Sequence, residues 1–68
     1  MVNINKLKGA IVEKDTTQEA LAAEMGIDRS TFYRKIKAGG NFTIGEAKQI
    51  VDLLGLTTDE AVSIFFAN

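Results

Sequence analysis

The chain contains no cysteine, no histidine and no proline, and it has no long apolar run. Without cysteine no disulfide can staple it, and without cysteine or histidine a structural zinc site lacks its ligands. No stretch approaches the roughly 20 apolar residues of a membrane helix. Met1 to Ala10 alternates polar and apolar residues where a signal peptide would build an apolar run. These absences imply a soluble, intracellular protein with no membrane partner. Catalysis also lacks its parts. There are two serines and no partnered base, so a nucleophile has nothing to activate it. Glu13, Asp15, Glu19 and Glu24 read as surface acids and not as a catalytic pair. Gly39 and Gly40 follow no strand, so they are no phosphate-binding loop. No catalytic residue, metal or cofactor is expected.

What is present is a single small domain of 68 residues, 46% of them hydrophobic, which argues against disorder. A domain this short buries only about 60% of its unfolded surface. Its stability must come from packed helices, with dimer formation as a further source. The net charge of −1 says little, but its distribution says more. Asp28 to Lys37 carries Arg29, Arg34, Lys35 and Lys37 against one acid, a local +3. Ala38 to Asn68 carries Lys48 against Glu46, Asp52, Asp59 and Glu60, a local −3. One end of the molecule suits phosphate and the other is acidic.

Helical spacing recurs throughout. Ile4, Leu7 and Ile11, with Val12 at the edge, form one apolar face of a first helix that is capped by Asn3 or Asn5 and ends near Lys14. A second helix opens at Thr16 or Thr17. Thr16 has capping-box spacing to Glu19, and Thr17 serves as cap equally well. Leu21, Ala22 and Met25 give this helix its apolar face, and Gly26 ends it. Asp28 is the expected N-cap of a third helix, in which Phe32 and Ile36 face inward. Ala38-Gly39-Gly40-Asn41 is a stop. Thr43 and Glu46 form a capping box before Ala47, Ile50, Val51 and Leu54, and Gly55 closes that fourth helix. Thr57 or Thr58 begins a short fifth, with Ala61, Ile64 and Phe65 inward. Phe65 and Phe66 are adjacent, so a helix buries one and leaves the other to the surface.

Thr17 to Ile36, TQEALAAEMGIDRSTFYRKI, carries the functional signal. Two helices of about eight residues flank a turn too short for an antiparallel hairpin, so they must cross steeply. Such a crossing needs a small residue at the closest approach (Ala22), a left-handed turn residue (Gly26) and apolar plugs in the angle (Ile27 and Phe32). The stretch resembles the helix-turn-helix of phage repressors, Cro proteins and related small bacterial regulators, the lambda-repressor-like or XRE type. The resemblance rests on Thr17-Gln18, Leu21-Ala22, Gly26-Ile27, Ser30, Phe32 and Ile36, and more loosely on five helices in one short chain. Phe32, where the family usually carries Ile or Val, the added aromatic Tyr33 and the two glycines after the third helix depart from the pattern.

The resemblance implies an all-α, five-helix lambda-repressor-like domain over residues 1–68 that acts as a sequence-specific regulator of transcription, of phage or mobile-element type. The second helix of the pair, about residues 28–37, lies in the major groove of double-stranded DNA. Arg29, Ser30, Tyr33 and Arg34 are then the base-contacting residues, with either arginine suited to guanine O6 and N7. Gln18 resembles the family's backbone anchor, and Thr17, Thr31, Lys35, Lys37 and Asn41 are further phosphate contacts. A homodimer would read a near-palindromic operator with half-sites about 10 bp apart, and Phe66 with Val62 or Ile64 would supply the dimer contact. The expected setting is the cytoplasm of a bacterium or phage-infected host. The chain reads as either a complete Cro-sized protein or the DNA-binding part of a longer repressor. The alternative is a protein-interaction module of antirepressor or antitoxin type on the same fold, which the slightly acidic total favours.

Overall fold

Short polar side chains start the helices. In the computed structural model, which describes residues 1–67, Asn3 Oδ1 accepts the Lys6 amide ahead of α1 (Ile4–Glu13). Thr17 Oγ1 accepts the Ala20 amide ahead of α2 (Gln18–Glu24). Asp28 precedes α3 (Arg29–Lys37), Thr43 precedes α4 (Ile44–Leu54) and Thr57 precedes α5 (Thr58–Phe65). The Thr43–Glu46 capping box forms, and Thr57 makes a second one with Glu60. The Thr16–Glu19 box does not form. Thr17 is the residue with extended backbone at the helix start, so Thr16 lies one position too early to reach the free amides. Asp28 occupies the expected N-cap position, yet its carboxylate accepts no amide. The first turn of α3 is exposed, which leaves those amides open to water.

The helix ends are equally regular. The amides of Thr16, Ile27, Gly40 and Leu56 reach back to the carbonyls of Ile11, Ala22, Lys35 and Val51, closing α1 to α4 with the same 6→1 bond. Each closure needs a left-handed residue. Glycine fills that place after α2, α3 and α4, but after α1 it falls to Asp15, at φ +58°.

Eleven apolar residues form the buried core: Leu7, Ile11, Leu21, Ala22, Met25, Phe32, Ile36, Ile50, Leu54, Ile64 and Phe65. They come from all five helices and the turn after α2, so no helix can leave without exposing the rest. Phe32 sits wholly buried, with its ring 5.6 Å from that of half-buried Phe42. Val12 is 73% exposed and does not belong to the inward face of α1, because it lies one position beyond the stripe of Leu7 and Ile11. Phe65 is buried and Phe66 is 75% exposed, which divides the aromatic pair as its adjacency demands. Before α1 the chain runs along α5, where the Asn3 amide donates to the Ile64 carbonyl at 2.7 Å. Lys6 Nζ donates to Ser63 Oγ beside it. Val2 packs so closely on Gly40 that a β-carbon there would lie 2.5 Å from Val2 Cβ. No helix among the described residues is long and apolar enough to cross a membrane.

Two substitutions test the left-handed closures with opposite signs. Around Gly26 (φ +74°) no atom stands within 4 Å of an added β-carbon, so Gly26→Val meets backbone strain alone. It should cost about 1–3 kcal/mol. Asp15→Gly removes strain of the same kind and an unfavourable negative charge at the C-terminal end of α1, and should gain about 0.5–1 kcal/mol. In a domain of this size that is a thermal midpoint several degrees higher, readable by circular dichroism. A midpoint unchanged in both variants would refute the assignment.

Candidate nucleic-acid interface

Ala22 is wholly buried on α2, which packs against α3, and partly buried Ile27 lies against the core just after the Gly26 turn. This crossing turns one face of α3 into the core through Phe32 and Ile36, and by helical spacing turns the opposite face to solvent. Arg29, Ser30, Tyr33, Arg34 and Lys37 are all exposed, Tyr33 at 45%. The four residues expected to meet bases are therefore all open to solvent along α3.

Five of the six expected phosphate contacts line two clefts that flank α3. In one, Thr17 and Gln18 at the start of α2 meet Tyr33, with Lys8 and Val12 of α1 completing the wall. In the other, Thr31, Arg34 and Lys35 of α3 meet Ala38 and Asn41. Lys37 lies exposed at the last turn of α3. The Thr17 hydroxyl accepts the Ala20 amide as a cap, which leaves its own proton free to donate. Lys8 is an exposed cation in the first cleft that sequence reasoning did not single out. Its place depends on how α1 packs beside α2, and no local motif announces it.

Three of the cations on α3 already have partners. Arg29 Nη1 donates to Glu19 Oε2 at 3.1 Å, bridging α3 to α2. Arg34 Nη2 donates to Thr31 Oγ1 at 3.2 Å, one turn back. Lys35 is the most committed. Its ammonium lies 3.2 Å from Glu46 Oε1 and donates to the Asn41 carbonyl at 3.3 Å, with only 22% of the side chain exposed. Lys35, expected as a phosphate contact, is seen to brace α3 against α4.

Glu46 serves both that brace and the capping box. Its carboxyl is held below the ordinary glutamate value of 4.5, first by the Thr43 amide it accepts at 2.8 Å. Partial burial opposes that fall, and the bond and charge of Lys35 add to it. Glu60 is lowered in the same direction, chiefly by the Thr57 amide.

A family model for helix-turn-helix domains matches residues 7–60, most of the chain. The chain belongs to the helix-turn-helix family. It is of the XRE type, like the Cro and lambda-repressor domains, whose members are DNA-binding regulators of transcription. The all-α architecture expected from the sequence is the observed one. No curated protein and no solved structure matches the chain. The matched segment of this helix-turn-helix domain runs from Leu7 to Glu60 and so takes in both flanking clefts, α3 and its outward residues.

A carboxylate whose pKa is lowered by folding stabilises the fold above its unfolded pKa, and that contribution disappears as the pH falls through the folded value. Resistance to urea should therefore decline as the pH drops below about 4.5. Glu46→Gln should flatten part of the decline and leave the part that Glu60 supplies. A variant that titrates like the parent would show that Glu46 is not one of the groups responsible.

Proposed function

We propose that this helix-turn-helix domain is a sequence-specific repressor of Cro type, from a phage or mobile element, that lays α3 in the major groove of operator DNA. The observation that carries the reading is the exposure of Arg29, Ser30, Tyr33 and Arg34 along α3, which is flanked by two clefts whose lining includes side chains able to donate to phosphate. In that pose the outward residues of α3 meet base edges, and Arg34 or Arg29 takes guanine through N7 and O6. Gln18, Thr17 and Lys8 grip one phosphate strand, while Thr31, Asn41 and Lys37 grip the other. Lys35 acts from behind by fixing α3 on α4.

The domain binds a near-palindromic operator as a homodimer, so that two copies of α3 reach half-sites about 10 bp apart. Exposed Phe66 and Val62 support such a contact, with Ile44 (91% exposed) nearby, whereas Ile64 is buried and does not take part. The same apolar surface and the slightly acidic total favour a second reading, a protein-interaction module that does not bind DNA.

An NMR titration with mixed-sequence duplex DNA at two salt concentrations separates the two. Shifts should concentrate at Gln18 and from Arg29 to Lys37 and weaken as salt rises. Arg34→Ala should weaken DNA binding by about 1–3 kcal/mol without moving the thermal midpoint. Silence of that face even at low salt would favour the protein-interaction reading.

A further inference from the structure

The Arg29–Glu19 pair joins the first turn of α2 to the first turn of α3 across the Gly26 turn. The side chains are 61% and 63% exposed, so water screens the pair and it adds little to stability. Its effect on the DNA-facing surface is larger. A long arginine at the mouth of a groove would ordinarily sample many rotamers and find the nearest phosphate. Here the carboxylate takes Nη1 and narrows the range of positions open to the guanidinium, leaving the Nε and Nη2 edge unbonded among the described residues. That edge carries two parallel N–H donors, the geometry that matches guanine N7 and O6.

We propose that Glu19 is a specificity-determining positioning residue, which holds Arg29 with its free edge toward a guanine and, by its charge, discourages indiscriminate phosphate contact. The inference rests on the DNA-binding reading above. Two physical effects act together. Holding the side chain in place lowers the entropy it loses on meeting a base, which favours the one partner that fits the held geometry. A carboxylate beside Gln18, at the start of α2, repels any phosphate that approaches without a compensating base contact, and that penalises wrong sites more than right ones. Glu19 thus exchanges general affinity for discrimination. Asp28, which precedes Arg29 in the chain and whose carboxylate caps nothing, adds a second negative charge beside Arg29.

The test uses the intact chain, a mixed-sequence duplex of about 20 bp and a randomised duplex pool. Glu19→Gln should bind the mixed duplex about threefold more tightly at low salt, and its log–log salt slope should steepen by about one as Arg29 is released to a phosphate. In selection from the pool, the parent should enrich a guanine that Arg29→Ala loses and Glu19→Ala weakens. The double variant should add nothing beyond Arg29→Ala. Thermal midpoints should move by a few degrees at most, which separates positioning from folding. An unchanged slope and an unchanged guanine preference in the Glu19 variants overturn the proposal and leave the DNA-binding reading standing. A steeper slope with the preference intact also overturns it, since Glu19 is then only a bulk charge. Failure of the parent chain to bind either DNA at low salt overturns the DNA-binding reading, and the proposal with it.

Discussion

The close packing of α2 on α3 leaves Ala22 wholly buried, and a larger side chain there would push α2 away from what it packs on. The other features of the functional face depend on that close approach. It sets the angle at which α3 leaves the Gly26 turn, and so decides that Phe32 and Ile36 point inward while Arg29, Ser30, Tyr33 and Arg34 point out. It brings the start of α2 beside Tyr33, so that Thr17 and Gln18 border the same cleft. It also brings Glu19 within reach of Arg29. A domain with no disulfide and no zinc ligands must hold this geometry by packing alone, and Phe32 at the centre of the core, with Phe42 against it, supplies the rigid backing.

The fold was legible where one local chemical rule decides each step. Thr43–Glu46 spacing foretold a capping box, Gly26 and Gly55 foretold left-handed helix ends, and the 3–4 spacing of Leu7 and Ile11, or of Phe32 and Ile36, marked inward faces. Open choices and misses arose where neighbouring residues offered the same chemistry. Thr16 and Thr17 can both cap, and only backbone conformation separates them. Val12 is apolar and sits next to the stripe, but a single position rotates it out of contact. Asp15 carries no sign of a left-handed conformation, because the residue commonly found there is glycine.

The surface was less legible than the core, since it is assembled from parts distant in sequence. The outward residues of α3 follow from one helix and were found together. Lys8 reaches its cleft only through the packing of α1, and Lys35 is drawn toward Glu46 by the approach of α4, so neither placement could be read from local spacing. Of the four bases on α3, three have a partner within the chain. Formal charge therefore overstates what the surface offers to an anion, and Lys37 is the cation of α3 least committed elsewhere.

The tie between the two ends of the described chain bears on how the domain is made. Val2 sits on Gly40, the Asn3 amide bonds Ile64, and Lys6 reaches Ser63 across a separation of 57 residues. None of the contacts with α5 can form on a ribosome until α5 has emerged, so Asn3 and Lys6 are fixed only after α2, α3 and α4, which separate them from their partners, have been made. The α2–α3 pair joins segments that are neighbours in sequence, whereas the strap ahead of α1 joins segments from opposite ends of the described chain. The amino-terminal strap therefore closes only when α5 is in place, because the partners of Asn3 and Lys6 both lie on that helix.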